Sequence, residues 1–202
     1  MAVLAVPAFS DITFTSMGPF YGTASIAGHI TGTFYSGFLH FTDPSNTCGL
    51  GAAFNTICVD LDHEINSGSH WGVTCSDSGT LASNLQRAGH IIAKYYSTIT
   101  TNDQANGLQL AAWEAVYDNG ATPNFTDNAS GGNFRVHNAP AAAINYAATF
   151  YNDGSNFAGN CVYMKPFDHS GGQAQMAPTP EPASIAALAL GAIMVIRRRK
   201  RL

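Results

Sequence analysis

Cys58 and Gln109 are the side chains whose types and settings are most open to chemistry. Cys58 lies in the run Phe54-Asn55-Thr56-Ile57-Cys58-Val59-Asp60-Leu61-Asp62. A period of two puts Phe54, Thr56, Cys58, Asp60 and Asp62 on one strand face and Ile57, Val59 and Leu61 on the other. The second set reads as the core face, so the thiol is expected on the more polar side, an unusual place for a structural cysteine. Gln109 leads Ala112, Trp113, Val116 and Tyr117 at i, i+3, i+4, i+7 and i+8, a single helical stripe. Gly107, just before it, would let another backbone come close.

Other uses of these residues stay open. Asn106-x-x-Gln109 fits a capping box, with Asn106 as N-cap and Gln109 reaching back to its amide. Four cysteines (Cys48, Cys58, Cys75 and Cys161) permit two disulfides in an exported chain. If Cys58 is otherwise engaged, Cys48 with Cys75 is the natural bridge and Cys161 is left over. Asp60, Asp62 and Glu64 alternate and offer oxygens to Ca²⁺, but they also read as a solvated acidic edge that discourages strand pairing. The seven histidines (His29, His40, His63, His70, His90, His137 and His169) show no zinc-binding spacing, so no metal is expected. A Cys58–His hydrolase pair is a further reading, invisible to sequence spacing.

The segment Leu108-Gln109-Leu110-Ala111-Ala112-Trp113 resembles the apolar-Gln-x-x-apolar-Trp motif of bacterial thioester domains, and Ile57-Cys58 resembles their cysteine motif. Such domains occur in surface adhesins. The resemblance implies that the Cys58 thiol attacks the Gln109 carboxamide and expels ammonia, leaving a thioester. A nucleophile on a partner, often an amine, then takes the acyl group and stays attached. In that scheme Cys58 is the leaving group and Gln109 the acyl donor, while Trp113 and Tyr117 shield the bond from water. A thiolate leaves far more readily than an amide nitrogen, and burial slows hydrolysis until a partner docks.

The elements that must position these residues are legible in outline. Strand-like runs occur at Ile12–Ser16, Thr33–Thr42, Phe54–Leu61, Trp71–Thr74 and Cys161–Phe167. Helical patterns cover Leu81–Tyr96, Gly107–Tyr117 and Pro140–Tyr151, the last with Asn138 as its cap and Pro140 in the first turn. Strands, then helices, then a returning strand predict an α+β domain, mainly antiparallel, with its helices grouped.

Charge separates the two ends of the chain. Of 202 residues only 11% are charged while 46% are hydrophobic, a composition common in exported β-rich proteins and rare in cytosolic enzymes. Arg197, Arg198, Arg199, Lys200 and Arg201 account for five of the nine basic residues, so the rest carries four against thirteen acids. That acidic body argues against nucleic-acid binding. Residues 170–182 (SGGQAQMAPTPEP) read as a flexible linker. Ala183–Ile196 follows as an apolar helix of about 21 Å, short for a hydrocarbon core of about 30 Å unless arginines snorkel.

Pro180-Glu181-Pro182-Ala183-Ser184, the apolar run and the basic cluster together resemble PEP-CTERM sorting signals. The resemblance implies Sec export, transient retention in the inner membrane by a single short transmembrane helix, and cleavage near Pro180-Glu181-Pro182 by an exosortase. The positive-inside rule leaves Arg197–Arg201 in the cytoplasm. Residues 1–8 read as a truncated signal peptide, 9–169 as the thioester-domain-like body, 170–182 as linker and 183–202 as sorting signal. The expected protein is a cell-surface or extracellular-matrix adhesion module with no cofactor, not a turnover enzyme. The alternatives are a structural, exopolysaccharide-associated matrix protein with Cys58 in a disulfide, and a Cys-dependent hydrolase.

Overall fold

A computed structural model describes residues 10–118, 123–125, 132–167 and 172–180. Its elements in chain order are β1 (Ser10–Gly28), β2 (Gly32–Thr42), β3 (Ala53–Cys58), β4 (His70–Asp77), α1 (Ser83–Tyr95), α2 (Asn102–Tyr117), β5 (Phe134–Asn138), α3 (Ala141–Gly154), β6 (Cys161–Pro166) and β7 (Gln175–Pro178). The class is α+β: an antiparallel sheet of seven strands with three helices.

The sheet closes on itself. Its order is β2-β3-β7-β6-β4-β1-β5, and β1 also pairs with β2, so six strands form a ring and β5 extends it. The length of β1 makes this possible. Its first residues, Ser10–Thr13, pair with β4, its whole middle pairs with β2, and Ser25–Gly28 pairs with β5. Register shifts between Phe14 and Ser16 and between Met17 and Tyr21 bend it, as bulges do at barrel corners. Gly18-Pro19 falls in the second shift. The strand runs well beyond the expected Ile12–Ser16.

Residues directly opposite in antiparallel strands share a face. Followed around the ring, Ile12 faces Trp71, Phe14 faces Phe41, Phe41 faces Phe54, Leu39 faces Thr56, Cys58 faces Gln175, Gln175 faces Met164, and Met164 faces Cys75. This is the interior. Phe41 sits at its centre, 5.5 Å from Phe14 and 5.8 Å from Trp71 between ring centroids. The opposite face of β2 and β3 lies under the helices: Ser36 Oγ donates to Asn106 Oδ1 of α2 at 2.6 Å, and Phe38 meets Tyr96 edge-on at 4.8 Å.

This arrangement corrects the expected polarity of the Cys58 strand. Ile57, Val59 and Leu61 are buried as expected, but so are Phe54, Thr56 and Cys58. Both faces of β3 are covered, so alternation in the sequence distinguishes barrel lining from helix contact, not core from solvent.

Helix α2 packs on β1, β2, β3 and β5 and against α1 and α3. Every residue from Ala105 to Ala115 is buried, the condition of a helix covered all round. Its start differs from the expected Gly107. Thr101 is the N-cap, accepting from Gln104 N–H, while Gln104 Oε1 accepts the N–H of Thr100 at 2.8 Å. Asn106 is therefore a mid-helix residue and caps nothing. Likewise Asn138 ends β5, and Pro140 precedes α3 without a side-chain cap.

The expected linker at 170–182 is also corrected. Residues 175–178 are β7, inserted between β3 and β6, with Gln175, Met176 and Ala177 buried. The body extends past 169 to Pro178. The segment has little intrinsic strand preference, and its pairing partners decide its conformation. The expected signal peptide at 1–8, the transmembrane helix at 183–196, Glu181, Pro182 and Arg197–Arg201 lie outside the described residues. Among those described, no helix is long and apolar enough to cross a membrane.

Candidate functional site

Cys58 is the last residue of β3, and Gln109 reaches it from the second turn of α2. The Gln109 carboxamide closes on the Cys58 backbone from both sides. Its Oε1 accepts the Cys58 N–H at 3.1 Å, and its Nε2 donates to the Cys58 carbonyl at 2.5 Å. Reversing the amide would set N–H against N–H, so donor and acceptor chemistry fixes which end is which. Gln109 is 1% exposed and Cys58 4%.

The thiol is surrounded by protein. Cys58 Sγ donates to the Asp60 carbonyl at 2.9 Å and accepts weakly from Asp60 N–H at 3.4 Å. Burial pushes its pKa up to about 12; the Asp60 contact opposes this, and the Asp60 negative charge adds to it. The resting group is therefore a thiol, not a thiolate. The side chains of Trp113 and Gln175 both approach the sulfur and favour its charged form. Neither Trp113 Nε1 nor Gln175 Nε2 completes a hydrogen bond of ordinary geometry with any described residue.

The loop after Cys58 is tied down by its own acidic residue. One Asp60 carboxylate oxygen accepts from Asp62 N–H at 2.9 Å and the other from Ala174 N–H at 3.2 Å, and His63 Nδ1 lies within 2.9 Å. Gln173 Nε2 donates to the carbonyls of Asp60 and His63. Leu61 N–H donates to Tyr117 Oη at 2.7 Å. The Tyr117 ring lies 4.4 Å from that of His29, and His29 Nε2 pairs with Asp62 at 2.6 Å. A cavity of about 530 Å³ opens onto Cys58 and Gln109. Its walls include the apolar side chains of Phe14, Met17, Phe34, Leu39 and Trp113, and Glu64 is the one carboxylate among the described residues that line it.

The structure thus brings Cys58, Gln109, Trp113 and Tyr117 together, and treats Gly107 differently. A Cβ there would lie 2.6 Å from Tyr146 Cβ and 2.9 Å from the Ala143 carbonyl; the backbone it admits is α3, not the Cys58 strand. Cys48 and Cys75 are joined by a disulfide with Cα atoms 5.5 Å apart. Cys58 and Cys161 are free and buried, so the alternative placing Cys58 in a disulfide is not met. Asp60 and Asp62 spend their oxygens on the loop and on histidines, and no group of residues fit to hold a metal occurs among those described. Of the sorting motif only Pro180 is described, exposed beyond β7.

Gln175, which stands beside Cys58 across β3 and β7, and Thr56, which holds its carboxamide, are not among the residues expected at the site. Thr56 carried a usable signal, two residues before Cys58 on the same face. Gln175 carried none, because its place depends on a pairing 117 residues away in the chain. No family model, curated protein or solved structure matches this chain.

Proposed function

We propose that this protein is an exported covalent-binding module in which Cys58 and Gln109 form an internal thioester. The observation that carries the reading is the clamp of the Gln109 carboxamide on Cys58 itself. In forming the bond, Cys58 Sγ joins Gln109 Cδ, the Cδ–Nε2 bond breaks, and the thiol proton leaves with the nitrogen as ammonia. The Cys58 N–H already sits on the amide oxygen, where negative charge develops in the tetrahedral intermediate, and it acts there as an oxyanion donor. Solvent exclusion around Cys58 and Gln109 then slows hydrolysis.

The cavity over the pair suits a primary amine on a partner surface. The apolar residues of its walls accept an alkyl chain, and Glu64 on the wall attracts a cationic amine to the entrance before it loses its proton and attacks. An amine needs no general base of the kind a hydroxyl requires. A thiol hydrogen directed at a backbone carbonyl weighs against the Cys-dependent hydrolase reading.

Export rests on the C-terminal sequence. Sec transport, transient inner-membrane retention, exosortase cleavage near Pro180-Glu181-Pro182 and release to the surface or matrix form one scheme with residues 183–202 as the membrane segment. Replacing Arg197–Arg201 with glutamine should abolish membrane retention of the precursor in cell fractionation. Retention by the altered tail would refute the scheme.

Intact mass of the purified body without reductant tests the thioester. The expected mass is one ammonia below that of the disulfide-bonded chain, and Cys58→Ala or Gln109→Ala each removes the deficit. A wild-type mass with only the disulfide loss refutes the thioester and leaves Gln109 as a structural tie in a matrix protein.

A further inference from the structure

We propose that the side-chain N–H groups of Gln175 and Trp113 form a two-donor cradle for the Cys58 sulfur, stabilising it as the departing thiolate when an amine opens the thioester. The inference rests on the thioester reading above and adds to it the residues that govern opening.

The cradle is built by register. Cys58 and Gln175 are direct partners across β3 and β7, so their side chains stand side by side on the interior face. Thr56 is two residues earlier on that face, and its Oγ1 donates to Gln175 Oε1 at 2.8 Å. With its oxygen held by Thr56, the carboxamide presents its NH₂ group away from Thr56. Trp113, one helical turn beyond Gln109 on α2, lines the same cavity as Cys58, and its side chain approaches the sulfur. Both Trp113 Nε1 and Gln175 Nε2 are buried and have no hydrogen-bond partner among the described residues.

Unpaired buried donors are costly, and two beside one sulfur need an explanation. A thiol or thioester sulfur is a weak acceptor and leaves them unsatisfied. A thiolate is a strong one, and bonds to charged groups are the strong class. The site is therefore better matched to the state reached during opening than to the resting state, the condition for accelerating a step. The step balances. The amine nitrogen bonds to Gln109 Cδ, the Cδ–Sγ bond breaks with its electron pair on sulfur, and a proton from the amine ends on Sγ. The products are a secondary amide and the Cys58 thiol.

The test compares wild type, Gln175→Met, Trp113→Phe and Thr56→Val, each exposed to ammonia, methylamine and hydroxylamine, with opening followed by intact mass. Each rate is read on the ammonia-light fraction of its own chain, so a variant that forms less thioester is still measured. Opening should slow about tenfold or more in Gln175→Met and Trp113→Phe, and less in Thr56→Val, which only frees the Gln175 amide. The slowing should be the same for all three nucleophiles, because a donor on the leaving sulfur acts whatever attacks; slowing that grows with nucleophile size would assign these residues to the shape of the entrance and overturn the cradle. A wild type with no ammonia deficit overturns the thioester reading itself. Ammonia-light variants that open at the wild-type rate overturn the cradle alone. Should Gln175→Met fail to fold, unchanged rates in Trp113→Phe and Thr56→Val overturn it equally.

Discussion

The phenolic oxygen of Tyr117 accepts the backbone N–H of Leu61 at 2.7 Å, tying the last turn of α2 to the loop that leaves Cys58. Tyr117→Phe keeps the ring against His29 and strands the Leu61 N–H. The expected cost is about 1–3 kcal/mol, read as a lower denaturant midpoint with an unchanged slope. On the thioester reading, the loosened loop also admits water, so the ammonia-light species should decay faster in buffer than in wild type.

Residues 172–180 behave as part of the domain rather than as a tether. A chain ending at Phe167 should lose cooperative thermal unfolding, whereas one ending at Pro180 should keep it. Met176→Ala, which empties a fully buried position, should cost about 2–5 kcal/mol. Equal melting curves for the two truncations would show β7 to be dispensable.

Gly107→Ala sets two effects against each other. Alanine favours a helix over glycine by about 1 kcal/mol. The added Cβ, however, meets Tyr146 Cβ at 2.6 Å and the Ala143 carbonyl at 2.9 Å, and backbone cannot move aside cheaply. Overpacking at about 1–3 kcal/mol wins, so the variant should melt below wild type by several degrees.

Glu114 gives stability a pH dependence. Burial raises its pKa from 4.5 to about 7, with the N–H of Asn124 opposing and the charge of Asp118 adding. A carboxyl with a raised folded-state pKa binds its proton more tightly folded than unfolded. Its contribution is therefore complete below about pH 4.5 and is lost as pH rises through about 7. The melting temperature of wild type should fall across that window, and Glu114→Gln should flatten the fall. An identical slope in the variant would assign the dependence to other groups.

The sequence was most readable where a segment's local pattern agrees with its final surroundings. The three helices are near their expected positions because long periodic runs of apolar residues have few other uses. Gln109 and Cys58 stand out by type, and the structure joins them. What stayed hidden depended on distant pairing. β7 looks like a linker because Gln, Ala and Pro carry no strand signal of their own. β5 is a five-residue strand that exists by joining the far end of β1. The polarity of β3 is not legible in its alternation, because a strand covered on both faces alternates for reasons unrelated to solvent.

One consequence of β7 concerns the order of events in the life of the chain. It is the last described strand in sequence, yet it sits between β3 and β6 inside the ring. A polypeptide made, or threaded through a translocon, from its N-terminus delivers β1 through β6 first. Until residues 175–178 arrive, the ring has a gap beside Cys58, and Gln175 is missing from the sulfur's surroundings. On the thioester reading, the surroundings of Cys58 are complete only when almost the whole body has emerged, so an exported chain would travel with that chemistry disarmed.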